Sequence, residues 1–181
     1  MKRIAIFVDG SNFAAACNTI GLRPDYAKIV AYFRAEGDVV GCYYFTALPP
    51  KEVYSPLRQV VDRLTYNGWR LVTKETKTYG TFIKGNMDIE IVVQAFRMCE
   101  HIDDIILFSG DGDFRSMVEE VQSRGVRVHV VSVLTRDEKN MTSDELRRQV
   151  DSFIDLADIK DKITLGAKSG PSLSFLKNRS V

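Results

Sequence analysis

The sequence predicts an α/β fold, a three-layer α/β/α sandwich on a mainly parallel, doubly wound sheet. Two observations carry this expectation. Short apolar runs alternate with longer segments of helical spacing along the chain, which is the pattern of repeated βαβ units. Two of those runs, Ile4–Val8 and Ile105–Phe108, are rich in β-branched and aromatic residues and end in glycine-containing breakers. Strands buried on both faces of a parallel sheet read this way. With 181 residues and 45% hydrophobic content, the chain suits one domain with a sizeable core.

In order, the first strand is expected at Arg3–Val8, followed by a helix from near Ser11 and a second helix at Asp25–Arg34 behind Pro24. A second strand, Val39–Thr46, stops at Pro49-Pro50. Leu57, Val60, Val61 and Leu64 then give helical spacing over Val53–Asn67, and Asn67-Gly68 ends that helix. Trp69–Thr73 reads as the third strand, and the polar, basic segment Lys74–Lys84 as an exposed loop. Ile89, Val92, Val93 and Phe96 share one face of a helix at Asp88–Cys99. A fourth strand (Asp104–Phe108), a helix (Phe114–Arg124) stopped by Gly125, and a fifth strand (Val126–Val133) follow. A short helix at Ser143–Val150 and an apolar piece, Ser152–Leu156, close the domain. Residues 1–163 are thus expected to form the domain, and 164–181 a basic, mobile tail.

Lys+Arg number 25 against 24 Asp+Glu, so bulk charge points to neither nucleic acid nor membrane. No run has the length to span a bilayer, and Met1-Lys2-Arg3 leads straight into strand residues without a secretory signal. Cys17, Cys42 and Cys99 are far apart, odd in number and without CxxC spacing, so they read as reduced thiols of a cytoplasmic protein. His129 alternates with Val128 and Val130, a structural position. His101 follows a helix end, where a cation suits the dipole.

Three acidic clusters carry most of the functional information. They are Asp9 in Phe7-Val8-Asp9-Gly10-Ser11-Asn12, Asp88 in Lys84-Gly85-Asn86-Met87-Asp88, and Asp111 with Asp113 in Ser109-Gly110-Asp111-Gly112-Asp113-Phe114. Each has an ordinary structural explanation. Ser11 or Asn12 can cap the first helix, which leaves Asp9 too early for that role. Asp113 can cap the helix at Phe114, and Asp88 suits the positive end of its helix dipole. Asp111, between two glycines, is explained less well by capping. Jointly, acids at three strand-to-helix junctions point to one site at the carboxyl ends of the strands, where open α/β sheets bind ligands. Acids gathered without basic partners need a cation, and Mg²⁺ or Mn²⁺ takes such oxygen ligands. Neither GxxxxGK[ST] nor GxGxxG is present, so a phosphate-cradling loop is a poor match.

With these motifs, and with Ser143-Asp144-Glu145-Leu146-Arg147 and Asp151-Ser152-Phe153-Ile154-Asp155 after them, the chain resembles the NYN family in its LabA-like branch, over roughly Arg3 to Leu156. That family belongs to the PIN-like nuclease superfamily. The resemblance implies a PIN-like fold with sheet order 3-2-1-4-5, and a Mg²⁺- or Mn²⁺-dependent ribonuclease. It implies Asp9, Asp88, Asp111 and Asp113 as catalytic and metal-binding acids, with Ser11, Asn12 and Ser109 supporting the site or touching phosphate. Many relatives carry a further acid where this chain has Gln94, which puts a second metal site in doubt.

Metal-activated water attacking a phosphodiester follows from such acids. The partner expected is RNA, single-stranded, met by Lys74, Lys77 and Lys84 in the basic segment, by Arg58 and by Arg115. Tyr79 and Phe82 can stack on unpaired bases. A solvated loop of no special role explains that segment as well. Two rival functions stand beside this one. An RNA-binding or regulatory module would keep the fold without catalysis. A phosphatase of the haloacid dehalogenase kind also starts from a strand-terminal Asp, but needs an acid two residues later, where Ser11 stands.

Overall fold

The computed structural model describes residues 1–48, 57–75, 77–79, 82–84, 86–134 and 141–166. The expected stop at Pro49-Pro50, the start of the long helix and most of the basic tail lie outside these residues. The elements are β1 (Arg3–Asp9), α1 (Gly10–Ile20), α2 (Tyr26–Arg34), β2 (Asp38–Leu48), α3 (Leu57–Tyr66) and β3 (Arg70–Glu75), then β4 (Lys77–Tyr79), β5 (Phe82–Lys84) and α4 (Asp88–Met98). After them come β6 (Asp104–Phe108), a 3-10 turn (Gly112–Phe114), α5 (Arg115–Ser123), β7 (Arg127–Ser132), α6 (Asp144–Gln149), β8 (Ser152–Asp155) and α7 (Leu156–Ile163).

Six strands form one sheet in the order β3-β2-β1-β6-β7-β8, and every pairing in it is parallel. The order 3-2-1-4-5 implied by the resemblance is present, with β8 added as a sixth strand at the edge. β1 and β6 lie in the middle, and from Ile4 and Asp104 onward every residue in them is buried. That is why their sequences are continuous apolar runs rather than alternations. Ile4, Ile6, Val8, Ile106 and Phe108 pack against α1, α2, α3 and α7 on one face. Ala5, Phe7, Ile105 and Leu107 pack against α4, α5 and α6 on the other. Two cores on two faces make the three-layer sandwich.

The structure departs from expectation at the basic segment and at the elements after Val150. The segment read as a loop at Lys74–Lys84 continues β3 to Glu75 and then forms an antiparallel hairpin, with Lys77 opposite Lys84 and Tyr79 opposite Phe82. The aromatic and β-branched residues there support strand geometry better than their polarity suggests. The apolar piece after Val150 is a strand, β8, paired with β7. A further helix, α7, was not expected. Asp155 caps it by accepting from the Ala157 amide, and Leu156, Ile159 and Ile163 are buried beneath it. Just after α7, Thr164 bridges to Pro24 and the Leu165 amide donates to the Arg23 carbonyl at 2.8 Å.

Candidate metal centre

The site begins with the two central strands. Because β1 and β6 are parallel with Val8 opposite Phe108, the residues that follow, Asp9 and Ser109, leave the sheet side by side. Asp9 is 5% exposed and has both carboxylate oxygens engaged. Oδ1 accepts from Ser11 Oγ at 2.9 Å and from the Asn12 amide at 3.3 Å, and Oδ2 accepts from Ser109 Oγ at 3.2 Å. Ser109 Oγ in turn accepts from the Asp111 amide at 3.2 Å, and Asn12 Oδ1 accepts from the Gly110 amide at 3.0 Å. A chain of hydrogen bonds therefore ties the loop after β6 to the start of α1.

The capping assignments made from sequence are corrected here. α1 starts at Gly10, so Asp9 is its N-cap. Asp111 caps the 3-10 turn by accepting from the Asp113 amide at 3.0 Å, while the N-cap of α5 is Phe114, with no side-chain bond. The glycines of this loop serve close packing within the protein. A Cβ on Gly110 would sit 2.0 Å from the Met141 carbonyl oxygen, and one on Gly112 would sit 2.7 Å from Ser143 Oγ. The close approach belongs to the protein's own Met141–Ser143 segment, fastened by the Ser143 amide donating to the Gly110 carbonyl at 2.9 Å.

Asp88, Asp111 and Asp113 each bring one carboxylate oxygen within 4.8 Å of the others. Asp9 lies outside that group of three. It is still close enough to act on it, since Asp88 is held above the ordinary carboxylate value. The first cause is burial, partly opposed by a hydrogen bond from Asn86, and repulsion from Asp111, Asp9 and Asp113 adds to it. Asn86 clamps Asp88 twice: its Oδ1 accepts from the Asp88 amide at 2.7 Å, and its Nδ2 donates to Asp88 Oδ2. Among the described residues, none of the four acids is in an ion pair. An all-oxygen set with excess negative charge fits a hard divalent cation such as Mg²⁺ or Mn²⁺.

The expected RNA-binding residues fare unevenly. Lys74 is ion-paired with Glu90 at 2.7 Å, which holds Glu90 below its ordinary value, and Arg115 lies 3.6 Å from Glu119. Both cations are thus partly neutralised. Lys77 and Lys84 are directly opposite in the β4–β5 register and Arg58 lies on α3, but the side chains of these residues and of Tyr79 and Phe82 lie outside the described set. Gln94, six residues after Asp88 on α4, lies about a third of a turn round the helix from it. Burial pushes the Cys17 thiol up to about 12 and Cys42 to about 11, which opposes a thiolate nucleophile at either.

Sequence reasoning missed Asn86 and Ser143, though both lie in the motifs it singled out. An Asn two residues before a helix-starting Asp is a recognisable local turn signal. Nothing local marks Ser143, whose role depends on packing against the loop after β6.

Comparison with known proteins agrees with this architecture. The NYN domain family model matches residues 3–158. The low amplitude and bright protein LabA of Synechococcus elongatus is 34% identical over 182 residues, which covers 96% of this chain and 94% of LabA. A crystal structure of a protein of unknown function from Vibrio parahaemolyticus superposes with a TM-score of 0.73 at 27% identity, over 91% of this chain and 96% of that one. No helix among the described residues is long and apolar enough to cross a membrane.

Proposed function

Because the chain belongs to the NYN domain family, we propose that it is a divalent-metal-dependent ribonuclease that hydrolyses phosphodiester bonds of single-stranded RNA. The observation that carries this reading is the convergence of Asp88, Asp111 and Asp113 within 4.8 Å without a basic partner among the described residues. Bound Mg²⁺ or Mn²⁺ would supply an activated water and neutralise charge on the leaving oxygen. Asp88, Asp111 and Asp113 offer the oxygen ligands, with Asp9 as a fourth acid beneath them. Asn86 aims Asp88 through its two hydrogen bonds. Ser11, Asn12 and Ser109 hold Asp9 and the loop after β6 in register, so Asp111 arrives at a fixed place. Lys77 and Lys84 on the hairpin, with Arg58, Arg115, Lys74 and Tyr79, are the groups proposed to meet RNA phosphates and bases. Three free cysteines accord with a reducing, cytoplasmic setting.

The rival phosphatase chemistry is opposed by Asp9 itself, which is buried and has both oxygens occupied by Ser11, Asn12 and Ser109. A nucleophile needs a free oxygen facing substrate. An RNA-binding module of the same fold without catalysis is the second reading, and the pairing of Lys74 and Arg115 with acids weighs against RNA contact by those two cations in either reading. Purified wild type and Asp111→Asn, incubated with single-stranded RNA in Mn²⁺ and in chelator, separate them. The wild type is expected to cleave only with metal, and Asp111→Asn to lose at least about a hundredfold in rate. Equal rates for the two proteins would sink the nuclease reading, and intact binding with no cleavage would establish the module.

A further inference from the structure

At the opposite end of the sheet from the acids, the amino-terminal ends of β1, β6, β7 and β8 and the end of α2 enclose a cavity of about 200 Å³. Ile4, Phe33, Ile106 and Ile154 give it an apolar interior, and Lys2 stands on its rim. Three further lining residues form a line of polar contacts. Ser152 Oγ lies 2.7 Å from His129 Nδ1, and His129 Nε2 lies 3.4 Å from Asp104 Oδ2. Asp104 is fully buried, with Lys2 Nζ 2.9 Å from Oδ2 and Arg127 Nε 2.9 Å from Oδ1.

We propose that Ser152 is a nucleophile served by His129 and oriented through Asp104, acting on small carboxylic esters whose acyl group fits this cavity. This chemistry requires the tautomer with the proton on Nε2, facing a carboxylate that can only accept, so that Nδ1 presents its lone pair to the Ser152 hydroxyl. Nucleophile, base and orienting acid in that sequence are what serine catalysis requires, whatever the order in the chain or the fold. The bland alternative is a surface cross-strand pair, since His129 and Ser152 are opposite in the β7–β8 register. Against it, Asp104 Oδ2 and His129 Nε2 are buried and face each other without a well-aligned hydrogen bond. Such looseness is common in catalytic groups awaiting substrate.

In the reaction, Ser152 Oγ bonds to the ester carbonyl carbon as its proton passes to Nδ1. Lys2, paired with Asp104 Oδ2, lines the same cavity. The ester C–O bond breaks, and the alcohol leaves with the proton from Nδ1. Water then adds to the acyl-serine carbonyl and gives a proton to Nδ1. The acyl carbon–Oγ bond then breaks, Nδ1 returns its proton to Ser152 Oγ, and the carboxylic acid departs.

The full-length protein treated with a short-alkyl fluorophosphonate in chelator, followed by intact mass and peptide mapping, tests this independently of the metal centre. One adduct on Ser152 is expected in wild type and none in Ser152→Ala. His129→Gln should slow labelling about a hundredfold. Ser152 is exposed on an edge strand, so Ser152→Ala should melt like wild type. A wild type without an adduct, an adduct on another residue, or an unchanged rate in His129→Gln would each overturn the proposal.

Discussion

Asp111 serves two purposes with one carboxylate: it holds the Asp113 amide and stands within 4.8 Å of oxygens from Asp88 and Asp113. Asn caps almost as well as Asp, so Asp111→Asn keeps the turn and deletes only the charge. Two carboxylates about 5 Å apart at an effective dielectric near 20 repel by roughly 3 kcal/mol as an upper scale. Asp111 is only half-buried, so solvent screening leaves about 1 kcal/mol of that. The metal-free mutant should therefore melt about 2–4 °C above wild type, and Mn²⁺ should raise wild type more than the mutant. Melts of both proteins in chelator and in Mn²⁺ check this. Four identical midpoints would mean that the acids do not share an ion.

Among the elements, the β4–β5 hairpin makes the sharpest functional prediction. Its backbone register puts Lys77 opposite Lys84. Replacing both with Ala should weaken RNA binding and reduce the slope of log affinity against log salt by about 1.4, because fewer counterions are released. An unchanged slope would move the RNA path away from the hairpin. The hairpin also marks where the sequence was misread. Lys, Thr and Tyr suggested a loop by polarity, yet three residues of extended backbone on each side pair. β1 and β6 were legible because burial on both faces writes itself as an unbroken apolar run. β8 was not, since an edge strand of four residues is only partly buried and carries little pattern. For α7 a signal is present, Asp155 as cap with Leu156, Ile159 and Ile163 at helical spacing, but eight residues make only about two turns of pattern. The acids were legible from their place after strands. Their caps were not, because a shift of one residue in a helix start changes which oxygen is used.

On the scale of the whole molecule, the chain keeps opposite electrostatic regimes at the two ends of its sheet. At the carboxyl ends, Asp9, Asp88, Asp111 and Asp113 gather with no ion pair to any of them among the described residues. The amino ends bury one acid, Asp104, among several. Burial alone would raise its carboxyl, but Lys2, with His129 and Arg127, outweighs that and holds it below the ordinary value. A depressed acid contributes stability that is present above its unfolded value, near 3.9, and is lost as pH falls through the lower folded value. Asp104→Asn should cost about 2–3 kcal/mol at pH 7, and the gap from wild type should close below about pH 4. Melts of both proteins at pH 7 and pH 3 measure the two gaps, and equal gaps would show that charge is not the cause.

β1 and β6 join two halves of the sheet, β3-β2-β1 and β6-β7-β8, with Ile4 beside Asp104. On the ribosome this order imposes a wait. At about 5–20 residues per second, β1 emerges roughly 5–20 s before the strand that will cover its second edge. For that interval β2 can pair with one side of β1, while the other side offers an open, almost wholly apolar edge to any extended chain nearby. The adjacency that brings Asp9 to Ser109 thus also leaves one edge of β1 uncovered until the second half arrives.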